Sequence, residues 1–194
     1  MQIIKKSSNG IQSIPLESAL LAQRKIFLTG AITTESANTV IQQLLYLESE
    51  AEREPIKLII NSPGGEVGAG LMLYDQIKGM EVPIELYCVE LAASIAAVIL
   101  AGGKRGNRFI LRHSKVKLQE PSVIASVGCV IGNALSVQKT AESIMETKNA
   151  LIELLSKDTG HSREQISRDF SIERLFNGEE AVKYGICDSL INRV

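Results

Sequence analysis

Ser94 stands in the run Glu90-Leu91-Ala92-Ala93-Ser94-Ile95-Ala96-Ala97, and thirty residues before it the chain reads Asn61-Ser62-Pro63-Gly64-Gly65. Small residues around a serine let a substrate carbonyl come close. A turn at the start of an apolar helix would place the Ile95 N–H beside the serine hydroxyl. Gly64 and Gly65 follow an apolar strand, where glycine permits a tight turn and leaves backbone N–H groups uncovered. Together they form the pattern of a nucleophilic serine facing a two-donor oxyanion hole, built from the N–H groups of Gly65 and Ile95. In a working hydrolase each such donor is worth about 3–4 kcal/mol. Each half alone has a plainer reading: a serine at a helix start is commonly a cap, and a Gly-Gly after a strand is commonly a turn. Phosphate binding at the turn finds little support, because no Gly-x-x-x-x-Gly-Lys pattern is present.

A nucleophilic serine needs a base, and the chain has two histidines. His113 falls in a turn between two short strands. His161 precedes a capping serine and reads as a surface residue. Neither position delivers an imidazole to Ser94.

The elements that would hold these residues have a strand-helix rhythm. Ile26-Phe27-Leu28-Thr29 reads as a strand ended by Gly30, and Thr33 and Thr34 as candidate caps of a helix over 35–51. Ala37, Val40, Ile41, Leu44, Leu45 and Leu47 recur on that helix at helical spacing. Ile56-Lys57-Leu58-Ile59-Ile60 reads as a strand leading into the Gly-Gly turn. Val67, Leu71, Tyr74 and Lys78 mark a second helix, 84–89 a third strand, and 92–101 a helix opened by the serine turn. This alternation predicts right-handed crossovers and a parallel sheet. Short strands are predicted near 108–111 and 115–118, and a long helix over 134–157 stopped at Thr159-Gly160. Ser162 with Gln165, and Asn177 with Glu180, read as caps of two shorter helices, the second ended by Gly185. A last strand is expected within 186–191. Residues 1–24 are polar and mixed, with a turn at Ser7-Ser8-Asn9-Gly10, and read as an N-terminal arm. No repeat or linker divides the chain, so residues 1–194 read as one domain.

Composition narrows the function classes. The chain is 45% apolar and 22% charged, with net charge −1, which argues against binding nucleic acid through phosphate neutralisation. No stretch reaches the ~18–20 apolar residues of a membrane span. Met1-Gln2-Ile3-Ile4-Lys5-Lys6 has no apolar signal core, so a cytoplasmic protein is expected. Cys88, Cys129 and Cys187 are odd in number and far apart. They fit neither a disulfide framework nor a zinc site, and read as buried thiols. No cofactor or metal is expected.

Further strings point to a family. Ile26-Phe27-Leu28-Thr29-Gly30, Ile60 to Gly65, Ala92-Ala93-Ser94, Asn107-Arg108-Phe109, Ser114 with Val116, Pro121, Thr159-Gly160 and Glu180 to Gly185 together resemble the proteolytic subunit of the Clp protease, the ClpP family. The resemblance runs over nearly the whole chain. It implies the α/β ClpP/crotonase-like fold of repeated ββα spiral units with a long handle helix, here 134–157. It also implies self-association into a heptamer or double heptamer, a serine nucleophile and an AAA+ unfoldase partner. By that resemblance Ser94 takes the nucleophile position, and the Gly65 and Ile95 N–H groups take the oxyanion hole.

The rest of the triad departs from the family pattern. The family reads Val-Met-Ile-His-Gln-Pro where this chain reads Val116-Lys117-Leu118-Gln119-Glu120-Pro121. Gln119 therefore replaces the general base, and a carboxamide accepts no proton at neutral pH. Glu173 replaces the family's aspartate, keeping the charge on a longer side chain with no imidazole to orient. Ser–Lys pairs occur in related serine peptidases. Lys117, about 7 Å from Gln119 along one strand face, could act as a weak base if burial lowered its pKa. A solvated lysine at a strand edge is its ordinary reading. Glu90 stands where the family has glycine and could crowd the site. The Gly-rich loop after the proline becomes Ser122-Val123-Ile124-Ala125-Ser126-Val127-Gly128. Lys57, Ile59 and Gly79 take the positions of the aromatic unfoldase-docking residues, and Ile172 replaces an arginine of the inter-ring contact.

The expectation is a ClpP-type endopeptidase subunit, inactive or weakly active alone. The alternative is a non-catalytic structural or regulatory ring subunit beside a catalytic paralogue. A crotonase-type acyl-CoA enzyme, with Glu90 or Glu120 as acid or base, is the more distant third.

Overall fold

The computed structural model describes residues 1–7, 10–50, 54–121 and 134–194. Nine strands and seven helices are formed among them. Strands β3 (Lys25–Thr29), β4 (Ile56–Ser62), β5 (Ile84–Ala93), β6 (Arg108–Leu111) and β9 (Ser189–Ile191) lie in that order in one parallel sheet. The predicted parallel α/β architecture is thus formed. Apolar residues alternate inward on each strand: Ile26 and Leu28, Leu58 and Ile60, Leu86 and Cys88, and Ile110 are all buried.

β5 organises the site. Its first half, Leu86 to Cys88, pairs with β6, and its second half, Leu91 to Ala93, pairs with β7 (Lys115–Lys117). β7 in turn pairs antiparallel with β8 (Leu175–Asn177). Between β4 and β5 the register jumps from Ile60↔Cys88 to Ser62↔Ala92, so Val89, Glu90 and Leu91 face a single residue of β4. Such a bulge bends a strand and re-aims the residues beyond it, here Ser94.

Helices α2 (Thr34–Glu50), α3 (Val67–Gly79), α4 (Ile95–Ala101) and α5 (Ala134–Thr159) supply much of the rest of the core. α4 is buried on every side, as its unbroken apolar sequence requires. Glycine at position 70 lets α3 approach it, because a Cβ there would meet Ile95 Cγ1 at 2.1 Å. Tyr74 Oη donates to Asp158 at 2.8 Å, and Lys78 pairs with the same carboxylate at 2.7 Å, tying α3 to the end of α5. Buried Arg108 pairs with Asp188 at 2.5 Å and donates to the carbonyls of Ala101 and Gly185.

Caps are formed at Thr33, Ser162 and Asn177, whereas Thr34 lies inside α2 and the Gln165 side chain turns to Asp169 instead of closing a box with Ser162. Thr33 Oγ1 accepts from Ser36 N while Ser36 Oγ accepts from Thr33 N. Ser162 caps α6 (Arg163–Ser171), and Asn177 with Glu180 forms a capping box on α7 (Gly178–Tyr184). Gly185 ends α7 in the left-handed conformation.

Three readings change. The helix expected from 92 opens three residues later, because Ala92 and Ala93 pair with Val116 and Lys117 as the end of β5. Strand pairing there overrides alanine's helix preference. The arm at residues 1–24 carries a hairpin of β1 (Gln2–Ser7) and β2 (Gly10–Pro15), then α1 (Leu16–Leu21). His161 is no free surface residue: its ring stacks on Tyr184 at 4.0 Å, and Nε2 lies 3.0 Å from the Tyr184 carbonyl oxygen. Cys88 and Cys187 are buried thiols, and burial pushes Cys88 up to about 12. The Ser8-Asn9 turn centre, the 122–128 loop and Cys129 lie outside the described residues.

Candidate active site

Ser94 occupies the sharp turn between β5 and α4 with φ 54° and ψ −126°. This is a backbone region that L residues with a Cβ rarely adopt, and such strain persists only where surrounding contacts enforce it. Two contacts do so here. The Ser94 N–H donates to the Lys117 carbonyl at 3.0 Å, and the Ser94 carbonyl accepts from Ala97 N at 3.0 Å. The backbone therefore starts α4, while the side chain makes no capping hydrogen bond. The hydroxyl has no hydrogen-bond partner among the described residues. That separates Ser94 from an ordinary cap.

The Gly-Gly turn packs directly on this serine. A Cβ on Gly64 would sit 2.8 Å from both Ser94 Cβ and the Ala93 carbonyl oxygen, and 3.4 Å from Ser94 Oγ. Only glycine allows that approach, and Gly64 also has φ +94°. Gly65 is enclosed by Ile32, whose N–H donates to the Gly64 carbonyl and whose carbonyl accepts from Glu66 N, each at 2.8 Å. Ser62 Oγ accepts from Gly64 N at 3.1 Å. Among the described residues, the Gly65 and Ile95 N–H groups have no acceptor. Two uncommitted donors beside an uncommitted hydroxyl are what acyl transfer requires.

The position expected from the resemblance to hold a base is that of Gln119. Gln119 is half-buried, two residues beyond Lys117, and its carboxamide makes no hydrogen bond to Ser94 or Glu173. Leu118 N donates to the Arg174 carbonyl at 2.9 Å, which sets this strand against the turn that carries Glu173. Glu173 has φ 48° and donates its N–H to the Phe170 carbonyl. It forms an ion pair with Lys117, Nζ to Oε2 at 2.6 Å. In that pair the lysine nitrogen is an ammonium, with three donors and no lone pair to take a proton.

Neither extra carboxylate stands free. Glu90 Oε2 accepts from Asn61 Nδ2 at 2.6 Å, across the bulge rather than over the serine. Glu120 accepts from Lys148 at 2.5 Å and from Ser171 Oγ at 2.9 Å, and these hydrogen bonds hold its carboxyl below the usual range. His113 is exposed in the turn after β6. Among the described residues no group of three or more His, Cys, Asp or Glu is placed to hold a metal. No helix among them is long and apolar enough to cross a membrane.

Over residues 8–194 the sequence matches the family model of the Clp protease. The chain belongs to the Clp protease family. The resemblance carried by the Gly-Gly turn and the Ala-Ala-Ser elbow is thereby confirmed, and with it the ClpP-type fold. Of the positions expected from the resemblance to dock an unfoldase, the Lys57 ammonium lies 5.4 Å from the Tyr87 ring centre, Ile59 is buried and Gly79 ends α3. Ile172, beside Glu173, is 70% exposed.

Two features escaped the sequence reading. The Lys117–Glu173 pair joins residues 56 apart, and nothing local announces it. The Glu120–Lys148 pair likewise spans 28 residues. Opposite charges at both sites were the only available signal.

Proposed function

We propose that this chain is a ClpP-type ring subunit that keeps the serine nucleophile and oxyanion donors but does not turn over peptides on its own. The observation that carries the reading is the pairing of an unpartnered Ser94 hydroxyl with a base position filled by Gln119. Without a proton acceptor, Ser94 stays a neutral alcohol, a poor nucleophile toward an amide. Glu173 can stabilise an imidazolium only if an imidazole is present. The role left to the subunit is structural or regulatory: it completes a heptameric or double-heptameric ring, beside a catalytic paralogue and beneath an AAA+ unfoldase. The chain would act in the cytoplasm as one domain, with residues 1–24 as its arm and 134–157 as its handle helix.

An acyl-CoA reading would need a free carboxylate near the oxyanion donors. Glu90 and Glu120 are both engaged elsewhere.

The reading is tested by labelling the purified chain with a fluorophosphonate at neutral pH, alongside native mass measurement. Ring-sized assemblies with negligible labelling at Ser94 are expected. Rapid stoichiometric labelling that disappears in Ser94→Ala would overturn the absence of a base, and a monomer that also fails to join a catalytic paralogue's ring would overturn the ring role.

A further inference from the structure

Lys117 pairs with Glu173 and precedes the vacant base position by two residues. Val116 and Leu118 point into the core, fully buried. Lys117, the last residue of β7, is half-buried between them, and the half-buried Gln119 follows two residues on, just past the strand. The Lys117 ammonium sits 2.6 Å from Glu173 Oε2. With side chains 32% and 63% exposed, the pair adds little to stability. Its consequence is local electrostatics. It occupies the carboxylate that would orient and charge-stabilise an imidazole at position 119, and it holds a cation beside that position.

We propose that Lys117 is a positioning residue acting against the relay, a clamp on Glu173 that forms a second block independent of Gln119. This rests on the reading of Ser94, residue 119 and Glu173 as the relay positions. A base restored at 119 meets a carboxylate already paired and a neighbouring ammonium that disfavours its protonated form. Replacing glutamine by histidine is therefore insufficient. Neutralising residue 117 is also required.

The test reads the imidazole directly. Gln119→His is prepared alone, with Lys117→Met, with Lys117→Gln as a second neutral replacement, and with Lys117→Arg, which keeps the charge. The imidazole's titration is read by NMR in each full-length chain. With lysine or arginine at 117 it should titrate about one pH unit lower than with methionine or glutamine. Hydrolysis of a fluorogenic peptide should rise at least about tenfold from the single variant to the neutral double variants. Superimposable titrations across the series would overturn the clamp. Because the titration needs no turnover, it reads the clamp even if the native chain proves to be an active peptidase, a result that would sink the proposed function instead.

Discussion

The backbone N–H of Ser94 donates to the carbonyl of Lys117 at 3.0 Å. One hydrogen bond thus couples the turn at Ser94 to the end of β7, two residues before Gln119. One residue further on, Leu118 N reaches the Arg174 carbonyl at 2.9 Å, next to Glu173. The turn at Ser94, the segment leading to Gln119 and the turn carrying Glu173 are thus joined through the backbone. On the proposed function, the ClpP-type fold has been kept while the proton path to Ser94 has been lost.

The elbow carries measurable strain. Ser94 sits at φ 54°, a conformation glycine adopts freely. Ser94→Gly is expected to raise stability by about 1 kcal/mol relative to Ser94→Ala, which keeps the Cβ and so the strain. Denaturant midpoints of the two variants decide this. Equal midpoints would mean that the turn is relaxed.

The Gly-Gly turn should tolerate nothing larger. An added Cβ at Gly65 would lie 2.1 Å from the Ile32 carbonyl oxygen, a backbone atom that cannot swing aside. Gly65→Ala is expected to cost about 3 kcal/mol. Gly68, three residues on, has open space around its Cβ direction. Gly68→Ala should be neutral or stabilising by up to about 1 kcal/mol. Thermal unfolding of both variants checks the contrast.

Acid sensitivity should pass through Asp169. Burial pushes its carboxyl up, but hydrogen bonds from Gln165, Tyr184 and Arg174, with the Arg174 charge, outweigh that and hold it below the usual range. A carboxyl depressed in the folded state adds stability that is present above its unfolded value, about 3.9, and lost as pH falls through the folded one. Asp188 and Glu120 shift in the same direction. The native chain should therefore lose stability below about pH 4. Asp169→Asn should start about 2 kcal/mol less stable at pH 7 and decline less steeply below pH 4. Urea midpoints from pH 7 to pH 2 measure both slopes.

Much of the fold was legible because it is locally encoded. The apolar runs 56–60 and 84–88, broken by Pro-Gly-Gly and Ala-Ala-Ser, gave the parallel strands and their turns. The side-chain caps at Thr33, Ser162 and Asn177 marked helix starts correctly. The hidden parts depend on partners distant in sequence. β8 is three residues long and exists through its pairing with β7. The β1–β2 hairpin pairs residue by residue along its backbone, and no apolar alternation announces it. Ala92 and Ala93 are good helix formers held as strand by Val116 and Lys117. At the site, the serine and glycines were legible because glycine and small residues there have steric causes. The Lys117–Glu173 pair was not, since Lys117 read as a solvated edge residue until the turn at Glu173 was folded against it.

The central claim is that Ser94 is a retained nucleophile without activation. Its most direct test is steady-state hydrolysis of a small fluorogenic peptide by the purified native chain, with Ser94→Ala assayed in parallel at neutral pH. The two rates should be indistinguishable. A native rate about 100-fold or more above Ser94→Ala, the size of a general-base contribution, would contradict it.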